Sequence, residues 1–310
     1  MSEGAAGSVL ALDGGQSGIR TLLVDESGTV VAESAHPGIL TDRPVLPQLA
    51  DVVAVALADA GRSVESFAGG ISGLADDDTP EALLALVRPH GVQRVFMAHD
   101  SVTSYVGAIG AEPGVVTASG TGVVTLAVGV EKVCRVDGWG YLIGDAGSGF
   151  WIGRAALDAV MRAFDGRGPA TSLTPLAEAE FGDLADAYLQ LQADGLKVSR
   201  IARWAKVVSE HAGAGDEVCI EISRRAGEEL AWSALTGLRL VGQHEVDEPL
   251  VSQVGNVFLN PLVEESFRRT VLATHAGARV VAPRGTGLAG ASQLPTVGPD
   301  SALYGRIARA

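Results

Sequence analysis

VVTASGTGVVTLAV, Val115 to Val128, is the stretch on which the fold turns. Two apolar, β-branched runs, Val115–Ala118 and Val123–Val128, enclose Ser119-Gly120-Thr121-Gly122, which predicts a strand, a turn and a strand. VLALDGGQSGIRTLLV, Val9 to Val24, follows the same plan. Its apolar run Val9–Leu12 leads into Asp13-Gly14-Gly15-Gln16-Ser17-Gly18, and Thr21–Val24 is apolar again. The turn Glu26-Ser27-Gly28 and a strand Thr29–Ala32 extend this hairpin into a β-meander. A plan repeated at domain scale predicts an internal duplication. The expectation is therefore an α/β fold of two halves with a cleft between them, 1–113 and 114–310. The last helix is expected to pack back on the first half.

The rest of the chain fills in those halves. Helices are expected at Pro47–Ala60, Pro80–His90 and Val102–Gly110, and strands at Phe67–Leu74 and Arg94–Ala98. The second half reads as mostly helical: Phe150–Phe164, Phe181–Gln192, Lys197–Ala212, Glu217–Leu240 and Val257–Leu272. Strands are expected at Leu250–Val254 and Arg279–Ala282, with a short helix Gly287–Leu294 near the end.

A type I′ hairpin needs two special residues, not three glycines flanked by Asp and Ser. The surplus of exposed N–H groups in both turns suits phosphate, and two such hairpins facing each other would hold one polyphosphate from two sides. Either turn alone reads equally well as a plain turn; the matched pair favours phosphate. Asp13 suits a Mg²⁺ ion held through water. Asp100 stands at the end of a strand, where it reads either as a helix N-cap or as a carboxylate that accepts a proton from an attacking hydroxyl. YLIGDAGSGFWIGRAALDAV, Tyr141 to Val160, sets glycines and an aspartate directly before an apolar helix. Glycines let backbone approach a ligand and a helix N-terminus attracts anions; a flexible loop is the plainer alternative. No Gly-Lys pair occurs, which excludes a P-loop. Gly285-Thr286-Gly287-Leu288-Ala289-Gly290 fits the dinucleotide fingerprint, but too little chain follows for the rest of that unit, so a tight turn with close helix packing is expected.

Bulk properties narrow the partners. The chain has 310 residues, a formal net charge of −14 and no basic cluster, which argues against nucleic acid and anionic membrane. Cys134 and Cys219 are the two cysteines, in no metal-ligand spacing. The opening MSEGAAGS has neither a basic nor an apolar region, so a cytoplasmic protein is expected.

DGGQSG, HDSVTSYVGA, ASGTG, GWGYLIGDAGSGFWIGRAALDAV and LVSQVGNVF occur in the order and spacing of the BadF/BadG/BcrA/BcrD-type ATPases. Within that family the chain looks most like the N-acetylglucosamine kinases of the sugar kinase/heat-shock-70/actin superfamily. The resemblance implies two ribonuclease-H-like domains closing over ATP and an amino sugar, with Mg²⁺, in a homodimer. It implies phosphate loops at Gly14, Gly15, Gln16, Ser17 and Gly18 and at Ser119, Gly120, Thr121 and Gly122. Asp100 would be the catalytic base. Ser72, Gly138, Trp139, Gly140 and Asp145, with Asp100, would hold the sugar, and Gly255 and Asn256 the adenosine. Trp151 is a second aromatic that would wall the site or join the core. The phosphate would go to the primary 6-hydroxyl.

Two positions depart from the family pattern. Ala146 stands where the family usually has Glu, and the segment 35–42 lacks the Asn that tends to hold the sugar. Two rival readings share the fold. One is an ATPase that activates a 2-hydroxyacyl-CoA dehydratase or benzoyl-CoA reductase through an iron–sulfur cluster held by paired cysteines. The other is a non-catalytic sugar sensor, for which a DNA-binding extension ahead of Val9 is wanting.

Overall fold

The computed structural model describes residues 7–15, 18–40, 42–75 and 77–310, so Gln16 and Ser17 lie outside the described residues. The chain divides into two compact units: Met1–Pro113 with Val128–Val133 and Ala282–Ala310, and Gly114–Ala127 with Cys134–Val281.

The first unit is built on β1 (Val9–Gly15), β2 (Gly18–Val24) and β3 (Val30–His36), an antiparallel meander. After α1 (Val45–Ala60), β4 (Ser66–Ile71) pairs parallel with β1. After α2 (Pro80–Val87), β5 (Arg94–His99) pairs parallel with β4 and delivers α3 (Asp100–Ile109). β4 is buried along its whole length, as a strand covered on both faces must be. One face holds Leu10, Leu12, Leu49, Val53, Phe67 and Leu83 under α1 and α2.

The second unit opens with β6 (Gly114–Ser119), β7 (Val123–Val128) and β8 (Val133–Val136), then α4 (Gly149–Phe164). α5 (Thr174–Phe181), α6 (Ala187–Ala193), α7 (Lys197–Ala202) and α8 (Trp204–Gly213) follow, then the long α9 (Glu217–Leu240). β9 (Leu250–Val254) pairs parallel with β6; after α10 (Pro261–Thr274), β10 (Arg279–Val281) pairs parallel with β9. The two sheets run β3-β2-β1-β4-β5 and β8-β7-β6-β9-β10, the same order twice. In the first sheet β11 (Ala308–Arg309) is added beside β5.

α11 (Gly287–Gln293) belongs to the first unit, where Leu288 and Ala291 cover Ala11 and Leu22 on the face of the sheet opposite α1 and α2. It packs against α3 through glycine. A Cβ on Gly107 would sit 2.0 Å from the Thr286 carbonyl oxygen, and one on Gly290 would sit 1.9 Å from that of Thr103. The G-x-G-x-x-G run is thus a helix-packing device.

Four expectations are corrected. Phe181–Gln192 is not one helix: Gly182, at φ +74°, ends α5, and Asp183 caps a short 3-10 turn before α6. Lys197–Ala212 is two helices, loosened at Arg203, which keeps helical angles of −61° and −25°. Val257–Leu272 begins as a 3-10 turn; α10 starts at Pro261, with Asn260 accepting from the Leu262 amide, the placement proline prefers. The helix after β5 starts at Asp100 rather than Val102. The strands β8 and β11 and the helix α5 were not legible in the pattern at all.

Candidate active site

The turn between β6 and β7 is held from one side by the start of α4. The Gly149 amide donates to the Gly120 carbonyl at 2.8 Å, and the Phe150 amide to the Thr121 carbonyl at 3.0 Å. A trans peptide plane points its N–H opposite its C=O. With the carbonyls of 120 and 121 turned to α4, the amides of Thr121 and Gly122 point away from it, and neither has a partner among the described residues. The Gly120 amide closes the turn on Gly122 O at 2.9 Å. The first amides of α4 are therefore consumed by the turn, and Ser148 Oγ accepts from Trp151 N at 3.2 Å. The N-terminus of α4 is not an anion site in its own right; it orients one.

Gly120 and Thr121 line a cavity of about 930 Å³. Its other walls are Leu196, Ser199, Arg203, Lys206, Ser209 and Glu210 from the α7–α8 region, with Asn256, Val257, Leu259 and Asn260. Gly255, at φ +105°, precedes this wall, and a Cβ on it would fall 2.2 Å from Ser119 O. Backbone at Gly255 thus lies close against Ser119, where the β6–β7 turn begins. The wall from α7 and α8 was missed in the sequence, because one continuous helix there gave no reason to open it as a pocket.

Asp145 lies against the other side of the turn. A Cβ on Gly122 would be 2.7 Å from Asp145 Oδ2, so only glycine lets this carboxylate so close. Asp145 is buried, at φ +60°, and its Oδ1 accepts from the Gly140 amide at 3.2 Å. Burial pushes its carboxyl above the ordinary value; the Gly140 amide opposes this, and the nearby Asp137 adds to it. The two tryptophans of the motif part company. Trp139, 61% exposed, carries the Arg135 guanidinium 4.6 Å from its ring centre, whereas Trp151 packs on the core with Arg225 over it.

In the first unit the β1–β2 turn is held by carbonyls too. The Gly14 carbonyl accepts from the Ser72 amide at 3.0 Å and weakly from its hydroxyl at 3.4 Å; Gly15 O accepts from Ile39 N at 3.0 Å. Ser72, expected at the sugar, is a brace for this turn. Asp13 faces Arg20 across the hairpin. Burial pushes the Asp13 carboxyl up, Arg20 pulls it down and Asp100 pushes it up again. A partly buried carboxylate in repulsion with a neighbour fits a divalent cation. No cluster of three acid, His or Cys ligands exists among the described residues.

Asp100 is the first residue of α3, not its cap. His99 caps the helix: its Nδ1 accepts from the Ser101 amide at 3.2 Å. The same Nδ1 lies 2.7 Å from Asp100 Oδ1, close enough for an ion pair. One nitrogen cannot serve both contacts, because accepting from the Ser101 amide uses the lone pair that a proton donated to Asp100 would occupy. Asp100 Oδ1 is otherwise enclosed without a hydrogen-bond donor. That is a carboxylate oxygen with unused acceptor capacity.

One Ser–His–Asp cluster elsewhere is structural. Ser172 Oγ lies between His211 Nδ1 at 2.6 Å and Asp216 Oδ2 at 2.7 Å, donating to the acid, so the imidazole has no serine proton to take. Asp216 caps α9.

Two sheets of the same strand order, one in each unit, make an α/β fold that solved sugar kinases share. A Chromobacterium violaceum structure provisionally named an N-acetylglucosamine kinase shares it at a TM-score of 0.71, with 23% identity over 94% of this chain and 99% of that one. The chain belongs to the BadF/BadG/BcrA/BcrD ATPase family, whose pattern it matches over residues 10–293. It is also similar to a Clostridium acetobutylicum protein named N-acetylmuramic acid/N-acetylglucosamine kinase, 25% identical over 81% of this chain and 84% of that one. An N-acetyl-D-glucosamine kinase of Dictyostelium discoideum is 29% identical over 54% of each chain.

Proposed function

We propose that this protein is an ATP-dependent kinase that phosphorylates an amino sugar, first N-acetylglucosamine, at its 6-hydroxyl. The observation that supports the reading is a buried carboxylate, Asp145, whose Oδ2 would lie 2.7 Å from a Cβ on Gly122, next to two amides without partners among the described residues. Thr121 and Gly122 donate to the phosphates; Asn256 and the α8 side of the cavity hold the nucleoside. Asp145 accepts from sugar hydroxyls. Asp100 orients the attacking hydroxyl and takes its proton, late in a loose phosphoryl-transfer step. Asp13 would hold Mg²⁺ through water, and the ion would supply charge neutralisation at the transferred phosphoryl group. The sugar hydroxyl oxygen bonds to the γ-phosphorus, ADP leaves, and the hydroxyl proton passes to the base.

The electron-transferring activator reading is disfavoured by Cys219. It is fully buried in the core of the second unit, away from any surface at which a cluster could be shared between two subunits. No helix of the described residues is long and apolar enough to cross a membrane. The proposal places the enzyme in the cytoplasm as a homodimer, read by sedimentation equilibrium.

The test is coupled ADP release over N-acetylglucosamine, glucosamine, glucose and N-acetylmuramic acid, the last because the Clostridium relative is named for it. Strong stimulation by an amino sugar is expected. ATP hydrolysis unaffected by every sugar would overturn the reading.

A further inference from the structure

Two residues other than glycine adopt positive φ among the described residues, Asp137 at +58° and Asp145 at +60°, and both lie in one loop. Aspartate tolerates this region better than most residues, but the conformation still costs energy and persists only where surroundings hold it. The Asp137 carboxylate supplies that hold. Its Oδ1 accepts from the Gly138 amide at 2.8 Å and from the Asp145 amide at 2.8 Å, and its Oδ2 from the Ala146 amide at 3.0 Å. One side chain thus binds both ends of the loop that carries Trp139. The approach is tight: a Cβ on Gly144 would fall 2.6 Å from Asp137 Oδ1, so glycine there is what admits the carboxylate.

Hydrogen bonds to a charged acceptor are the strong ones, and three on one carboxylate fix a short loop. The residue fixed most directly is Asp145, whose amide is one of the three. The consequence for the turn beside it follows from proximity: Asp145 Oδ2 occupies the space where a Cβ on residue 122 would stand, so a backbone shift at 145 moves the carboxylate relative to that turn. This arrangement also places a second negative charge beside a buried one. Asp137 raises the Asp145 carboxyl, so the pair carries an electrostatic cost that the amide hydrogen bonds must offset.

We infer that Asp137 is a positioning residue for the sugar, holding the Asp145 carboxylate in its left-handed pose through the amides of 138, 145 and 146. The inference rests on the proposed role of Asp145 in binding sugar. It differs from a role in folding alone, because the phosphate turn keeps its own anchors on Gly149 and Phe150 when Asp137 is removed.

The test uses Asp137→Gly, Asp137→Asn and Asp145→Ala, each assayed for sugar KM, ATP KM, kcat and melting temperature. Glycine accepts φ near +58° without strain, so Asp137→Gly removes the carboxylate while sparing the backbone. Sugar KM is expected to rise about tenfold in Asp137→Gly, the scale of losing a charge-assisted hydrogen bond. ATP KM should stay within about twofold, and Asp137→Asn, which keeps one acceptor oxygen, should recover part of the loss. A normal sugar KM in Asp137→Gly with a raised one in Asp145→Ala would overturn the inference and leave the kinase reading intact. A normal sugar KM in Asp145→Ala would overturn both. A parallel rise of both KM values with a falling melting temperature in Asp137→Gly and Asp137→Asn alike would show a folding role and overturn the inference.

Discussion

The two hairpin turns of the duplicated sheets differ in what stands behind them. In the β1–β2 turn, Gly14 and Gly15 are braced by Ser72 and Ile39, small contacts from neighbouring loops. In the β6–β7 turn, Gly120 and Thr121 are tied to the first turn of a sixteen-residue helix, and Gly122 abuts a buried carboxylate. Among the described residues, the first turn is thus held from two loop positions and the second from the start of a helix. The lesson is that similar turns can be told apart by where their carbonyls go, since a pinned carbonyl fixes the direction of the next amide.

The largest expected effect lies in the first half, where the turn is followed by the chemistry of Asp100. Asp100→Asn keeps shape but loses the basic oxygen, and general-base catalysis typically contributes about 10²–10⁴-fold, so kcat should fall by that order. Because His99 does the capping, the melting temperature should hardly move. A normal kcat, measured by ADP release at saturating substrates, would remove Asp100 from catalysis.

The comparison of the turns is broken most cleanly by adding one methyl group to each. On Gly122 the new carbon would meet Asp145 Oδ2 at 2.7 Å and must displace it. On Gly15 it would meet Ser72 Oγ at 3.2 Å, a hydroxyl that can yield by a few tenths of an ångström. Gly122→Ala should therefore raise sugar KM by about ten- to a hundredfold, the scale of losing hydrogen bonds to a charged group. Gly15→Ala should change kinetics by less than about threefold. Equal effects in both variants would erase the distinction drawn between the turns.

A smaller effect concerns stability in acid. Burial works against the Asp216 charge, but the Ser172 and Cys219 amides and the Ser172 and Thr171 hydroxyls outweigh it and hold this carboxyl well below its ordinary value. A depressed folded value means stability that is present above the unfolded value and lost as pH falls through the acid range. Urea midpoints of the wild type should drop below about pH 4 more steeply than those of Asp216→Asn. Parallel curves would show that the network is energetically silent. The catalytic halves should show no part of this difference near neutrality.

Much of the architecture could be read from periodicity. The apolar runs around 13–18 and 119–122 both form the strand pairs expected of them, and Glu217–Leu240 emerges with the bounds expected of it. What could not be read were features set by space rather than pattern. Nothing in Lys197–Ala212 signals the loosening at Arg203, because it holds no Gly, Pro, Asn or Asp to mark a break, yet that break lines the cavity. Asp100 looked equally like a cap and a base because aspartate caps so often; only the coordinates show His99 in that place. Asp137 did leave a trace, since an Asp-Gly pair marks positive-φ backbone. Its three amide partners lie up to nine residues away and are invisible without the fold.

The most direct measurement is ATP KM and sugar KM in Gly120→Val set against Asp145→Ala. A Cβ on Gly120 meets nothing within 4 Å, so the fold tolerates the change while the branched side chain enters the cavity. The account predicts that Gly120→Val raises ATP KM at least about tenfold, or abolishes turnover, with the melting temperature kept; a loss of that size is about 1.4 kcal/mol. It predicts that Asp145→Ala weakens sugar use while slow ATP hydrolysis without sugar continues. Unchanged ATP kinetics in Gly120→Val, or equal damage to ATP binding in Asp145→Ala, would contradict it.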